Sequence, residues 1–234
     1  MARKARLMPG TRLLGTAFAV VGLGIGALVP IFLVAYPAAG LGQSDAGNPA
    51  AILPVVASNP ALFAGPGTLE VVVHAIGAVA VFGLWARFGS TSFLMALATL
   101  GGLGWMVIDI VDNAVAFHVV PLIAANHAAG DPTSSAAFAQ LSSVVDAVRL
   151  AGHFAGGLWM IGVSAFAIQT RQLPRVVGWI GVVVGLVFAG NLFLPALLNV
   201  SFMTVPAWLV ILGVGVARTE EATETNLLPQ MRPA

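Results

Sequence analysis

From Leu13 to Tyr36 the chain runs without one charged side chain, and five further largely apolar stretches follow. They lie at Thr68–Ala86, Thr91 to about Val111, Leu150 to about Thr170, Val176–Pro195 and Phe202–Ala217. A helix needs ~20 apolar residues to cross a hydrocarbon core of ~30 Å. Inside that core no water is present to bond a bare peptide group, so only structures that satisfy their own backbone can cross. Composition agrees, with 59% of the 234 residues hydrophobic and 8% charged, against roughly 25% charged in soluble domains. The expected fold is therefore all-α, a polytopic bundle of six transmembrane helices forming a single membrane domain over residues 1–234.

A net charge of +1, with basic residues gathered at helix ends, gives no basic surface for nucleic acid. The absence of cysteine excludes disulfides, thiolate metal ligands and a cysteine nucleophile. Arg3, Lys4, Arg6 and Arg12 before an apolar run invite comparison with a secretory signal. The run is longer than the 7–15 residues of a signal core and contains Pro30, which favours a retained first span.

Cytoplasmic loops keep Lys and Arg. With residues 1–12 inside, Arg87, Arg171, Arg175, Arg218 and Arg232 fall on the same side as the four amino-terminal cations, so nine of the ten basic residues agree and Arg149 is the exception. This orientation puts both termini and the tail 218–234 in the cytoplasm of a cell-membrane protein, and the long connection 37–67 outside. Two apolar pieces of that connection, Ile52–Val56 and Ala61–Ala64, are expected to rest on the membrane surface. The pairs Gly22/Gly26, Gly152/Gly156 and Gly181/Gly185 have the four-residue spacing at which small residues let helices approach in lipid.

Three stretches carry groups that are costly in hydrocarbon: Glu70 and His74; Asp109, Asp112, Asn113 and His118; and Asp146, Arg149 and His153. The spacings i, i+4 for Glu70/His74, i, i+3, i+4 for Asp109/Asp112/Asn113 and i, i+3, i+7 for Asp146/Arg149/His153 put each set on one helix face. Such residues are functional candidates by default. At 1.5 Å per residue from the cytoplasmic arginines, His74 is roughly 18 Å into the membrane, Glu70 about 24 Å, Asp109 about 27 Å and His153 roughly 20–25 Å, with Asp112, Arg149 and Asp146 at or beyond the far edge. Asn191 and Asn199 join this outer layer. The third and fourth helical patterns run on past the membrane, to roughly Ala125 and from about Pro132, as an outward hairpin. Asp131 is the expected N-cap of the returning helix, with Pro132 at its first position.

Each signal also has a structural reading. Glu70 lies two residues after Thr68, where the helix macrodipole favours an acid. Asp112, His118 and Asp146 are natural as wet residues on the hairpin, Asp146 and Arg149 as an ion pair, His74 and His153 as hydrogen-bonded helix contacts, and Asn191 as helix glue.

The acids and histidines supply enough oxygen and nitrogen for zinc or iron, but no HxxxH, HExxH or ExxH spacing is present, so neither metal nor haem is specified. Without metal, the same groups suit general acid–base work on a lipid or isoprenoid, or a proton-coupled site. Polar clustering without a catalytic signature points first to a binding, sensing or transport-accessory bundle with a polar pocket open to the outer face. An intramembrane enzyme acting on a lipid or isoprenoid is the alternative, and a structural subunit a third. The partners this admits are the lipid bilayer, a small amphipathic ligand, and a second copy of the chain or a larger membrane complex.

Arg87 after the second span, the stretch Arg171-Gln-Leu-Pro-Arg175-Val-Val-Gly-Trp-Ile-Gly181, and Val205-Pro-Ala-Trp-Leu-Val running on to Arg218 resemble the DUF4386 family of uncharacterised bacterial polytopic membrane proteins. The resemblance covers Thr68 to Arg218 and implies a six-span membrane fold with no assigned activity. Family members carry an acid near the middle of the third span, whereas Asp109 and Asp112 come later here.

The charge distribution makes topology testable. Reporter fusions at Ser44 and Gly130 are expected to read outside, and fusions at Gly89, Gln172 and Ala234 inside; a reversal at any of these overturns the span count.

Overall fold

Every regular element is helical among the residues described by the computed structural model, which are 10–42, 45 and 47–227, with side chains described through Thr219. Residues 1–9 and 228–234, parts of the two segments assigned to the cytoplasm, lie outside that range, as does Ser44.

Helix α1 (Thr11–Gly26) continues through a turn and a π-helical stretch, Ile31–Ala35, to Ala38. Then come α2 (Pro49–Ser58), α3 (Ala61–Leu84, prolonged by a π-helical Trp85–Gly89), α4 (Phe93–Ala128), α5 (Ser134–Thr170), α6 (Arg175–Gly190) and α7 (Leu198–Leu227). Five segments are long and apolar enough to cross a membrane: Thr11–Ala38, Ala61–Gly89, Phe93–Ala128, Ser134–Thr170 and Pro195–Thr219. The sixth expected span, α6, has 16 residues and rises about 24 Å, short of a ~30 Å core. It ends at Gly190 rather than Pro195 because residues 191–194 turn and Leu194, preceding Pro195, is extended (φ −134°, ψ 85°). Proline disfavours helix at the residue before it.

Helices α1, α3, α4, α5, α6 and α7 each pack on the next, and α7 returns to α1, closing a ring. Trp105, Trp159, Trp208, Phe18, Met106 and Met160 fill its middle. Three crossings are backbone-close, one of them α4 on α5, where a Cβ at Gly101 would lie 2.7 Å from the Ala155 carbonyl oxygen. A Cβ at Gly157 would lie 2.6 Å from the Gly185 carbonyl oxygen, and one at Gly22 would lie 2.6 Å from that of Pro206. Gly152, Gly156 and Gly181 likewise leave no room for a side chain, whereas Gly26 meets only Pro206, at an ordinary 3.7 Å. Close backbone approach is what small residues provide in lipid, where burial of apolar surface does not itself drive helices together.

The paired helices α4 and α5, of 36 and 37 residues, extend about 54 Å and 56 Å, well beyond a ~30 Å core, and form the projecting hairpin. Gly130 turns the chain with a positive φ of 87°. The Asp131 carboxylate accepts the Thr133 backbone N–H at 2.9 Å and its hydroxyl at 2.8 Å, bonds that hold the acid below the usual carboxylate range. Asp131 thus organises the turn, but α5 begins at Ser134, two residues past Pro132, the first position expected for it.

The connection between the first two spans differs from expectation. Asn48 accepts the Ala50 N–H at 3.1 Å and Pro49 occupies the first turn, so a capped helix forms where the sequence suggested surface-lying pieces. Its Leu53 and Val56 are fully buried against Ala124 of α4 and Phe138 of α5. These side chains lie where the hairpin has left the apolar solvent, and α2 covers them. Ala61–Ala64 forms the first turn of α3, which starts seven residues before Thr68. Glu70 is therefore well inside the helix, and its placement is not explained by the macrodipole, which acts on the first turn.

Phe138→Ala is expected to cost about 3 kcal/mol, at the low end of the range for removing a buried aromatic ring. The loss should appear as a lower melting temperature and as new proteolytic cleavage within residues 42–60, with the rest of the bundle protected.

Candidate functional site

Helix α3 offers Glu70 and His74, α4 offers Trp105, Asp109 and Asp112, and α5 offers Asp146, Arg149 and His153, each set within two turns on one face. The ring packing α3–α4–α5–α6–α7 brings these faces into register. Three bonded groups result.

In the first, His74 bridges two helices. Its Nδ1 lies 3.0 Å from Glu70 Oε2 and 2.8 Å from the Glu70 carbonyl oxygen, and its Nε2 lies 3.1 Å from Asp109 Oδ2. Trp105 Nε1 donates to the same Asp109 oxygen at 2.7 Å. His74 thus faces only oxygens, the Glu70 carboxylate and carbonyl at Nδ1 and Asp109 Oδ2 at Nε2. Asp109 Oδ1 is buried and has no hydrogen-bond partner.

The second group joins α4 to α5. Arg149 Nε and Nη2 donate to the two oxygens of Asp112 at 2.6 and 3.1 Å, the bidentate fork that a planar guanidinium makes with a carboxylate. Nη1 donates to Asp146 Oδ1 at 3.1 Å. The structural pairing of Asp146 with Arg149 is present, and the stronger partner is Asp112, which is buried rather than wet.

The third group spans α5, α6 and α7. Asn191 Nδ2 donates to Ser201 Oγ at 3.1 Å and lies 3.5 Å from His153 Nδ1. The His153 ring packs on Phe188 with centroids 4.5 Å apart. Asp109 and Asp112 are one turn apart on α4, and Arg149 and His153 one turn apart on α5, so the three groups form one polar layer across five helices.

Aromatic rings floor this layer. Trp105 packs on His74, Trp159 and Phe188, and Trp159 packs on Trp208, whose Nε1 donates to the Val177 carbonyl near the opposite end of the bundle. Between the layer and the arginines of that end (Arg87, Arg171, Arg175 and Arg218), the spans present no ionisable side chain.

Of the residues singled out from sequence, Glu70, His74, Asp109, Asp112, Asp146, Arg149, His153 and Asn191 are brought into the layer. Asn113 is not a partner of its side chains, since it donates to the Asp109 backbone carbonyl of its own helix. Asn199 and His118 are exposed and outside it. Trp105 and Ser201 belong to the layer and were not anticipated. Trp105 precedes Asp109 by four residues, a readable spacing, whereas the Asn191–Ser201 bond depends on the turn between α6 and α7.

Among the described residues no group of three or more acids and histidines is arranged to hold a metal ion. Both nitrogens of His74 already face carboxylates, which leaves it no free lone pair for a metal or a haem iron. Comparisons with protein-family models, curated proteins and solved structures give no match to this chain.

Asp112 has a side chain only 6% exposed and depends on Arg149, itself 36% exposed, for its charge partner. Removing one member of a fully buried ion pair costs about 3–5 kcal/mol; partial exposure of Arg149 lowers the expectation to about 2 kcal/mol for Arg149→Gln. Adding Asp112→Asn should restore most of that loss. A double-mutant cycle by thermal or denaturant unfolding measures both, and additive losses would show that the pair does not couple.

Proposed function

We propose that the chain is a binding or sensing bundle, or the accessory part of a transporter, embedded in the cell membrane with its polar layer open to the outer side. The observation that carries this reading is the convergence of Glu70, His74 and Asp109, from two helices, onto one hydrogen-bonded chain, one helical turn along α4 from the Asp112–Arg149–Asp146 group. Helix packing alone does not require seven ionisable side chains in one layer, and the cost of keeping them in an apolar solvent argues for use. The aromatic floor supports access from the hairpin end only. The basic-residue distribution supports placing that end outside and both termini in the cytoplasm. The same reading places the chain with the DUF4386 membrane proteins, on the stretches Arg171–Gly181 and Val205–Val210.

A second reading is favoured by one feature of the same geometry. A histidine held by two carboxylates within hydrogen-bond reach is an arrangement suited to general acid–base chemistry, here on a lipid or isoprenoid.

The test is mass spectrometry of the chain purified with its native lipids, alongside His74→Ala and His153→Ala. A bound small molecule or ion present in the parent and lost from both variants, each still monodisperse, is the result expected of a binding bundle. A lipid converted by the parent and not by His74→Ala favours the enzyme. A ligand retained by both variants, or none in any of the three together with no conversion, removes this site from either role.

A further inference from the structure

We infer that the polar layer takes a small monovalent cation, an ammonium-type or an alkali ion, at the free oxygen of Asp109. This rests on the binding reading above and names the class of ligand.

The first argument is an account of donors and acceptors. The two basic groups nearest Asp109 already face acids. Arg149 gives three N–H groups to Asp112 and Asp146, and His74 faces Glu70 on one side and Asp109 on the other. His153 meets Asn191 at 3.5 Å. Among the acceptors, Asp109 Oδ1 is buried without a hydrogen-bond donor. A buried polar atom left unbonded costs about 1–3 kcal/mol, more when charged, and a ligand able to donate to it or coordinate it recovers that cost.

Charge gives the second argument. The little-exposed carboxylates of Glu70, Asp109 and Asp112 outnumber Arg149 and His74, and Asp146, 55% exposed, adds a fourth acid at the open edge. An anion entering the layer meets like charge with no free cation to receive it, whereas a cation reduces the excess.

The experiment uses the full chain in detergent micelles at constant ionic strength, with N-methylglucamine chloride replaced stepwise by sodium, potassium or methylammonium chloride. A separate arm replaces sodium chloride with sodium phosphate. Tryptophan fluorescence and melting temperature are read together, because Trp105 is bonded to the carboxylate that receives the ion. The expected result is a saturable change with at least one small cation, weakened at least tenfold in Asp109→Asn and in Glu70→Gln, the second serving if the first does not fold. Saturation by methylammonium alone identifies an amine, and by sodium or potassium an alkali ion. A saturable response to phosphate that His74→Ala abolishes overturns the cation assignment and leaves the binding reading standing. An unchanged cation response in both acid variants, or none to any salt, also overturns the assignment. If no ligand co-purifies either, the binding reading falls with it.

Discussion

One oxygen, Asp109 Oδ2, ties the bundle's polar layer to its apolar interior. It accepts the indole N–H of Trp105 and faces His74 Nε2, so α3 and α4 are joined by a charged hydrogen bond at the level where the aromatic core begins. In hydrocarbon such a bond has no competitor from water, and the groups that make it have no other means of satisfaction. The positions of α3 and α4 relative to each other are therefore fixed more tightly by these side chains than by the small and β-branched residues elsewhere along the same contact. Trp105 transmits the constraint inward, since its ring is wedged between His74, Phe188 and Trp159.

The same economy explains the hairpin end. Once α4 and α5 leave the apolar solvent, Ala124 and Phe138 must be covered by protein, and α2 supplies Leu53 and Val56 to do it. Burial of this kind is worth ~25 cal/mol per Å² of apolar surface removed from water, whereas within the membrane it gains almost nothing. The connection between the first two spans is thus long for a reason. It must reach from the end of α1, cap the hairpin and return to start α3 at Ala61.

Much of this was legible in the sequence. The apolar runs, the overlong third and fourth helices and the helix faces carrying acids and histidines all follow from periodicity, because hydrocarbon imposes length and internal backbone bonding on each span separately. What periodicity does not carry is which faces meet. Glu70 and Asp109 are far apart in the chain, and nothing local specifies that His74 stands between them. The helical state of Pro49–Ser58 was equally hidden, since its partners Ala124 and Phe138 lie in other helices and its own two prolines and short length argue for a loop. Ser201 was lost among the apolar residues of the last span, and Trp105 because a tryptophan in such a run ordinarily signals only packing.

The layer's position near one end of the membrane has a mechanical consequence. The first and second bonded groups share α4 and the second and third share α5, one turn apart on each, so displacing α4 along its axis changes the partners of Asp109 and Asp112 together. A new charge at Asp109 Oδ1 acts first on His74 and Trp105, then through α4 on the fork between Asp112 and Arg149. Arg149 lies where the hairpin emerges, between the dry floor and the α2 cap. An event at the buried carboxylate is therefore placed to alter how the projecting hairpin is held. Coupling of this kind needs no long pathway, only two side chains on one rigid helix whose partners cannot both be kept if the helix moves.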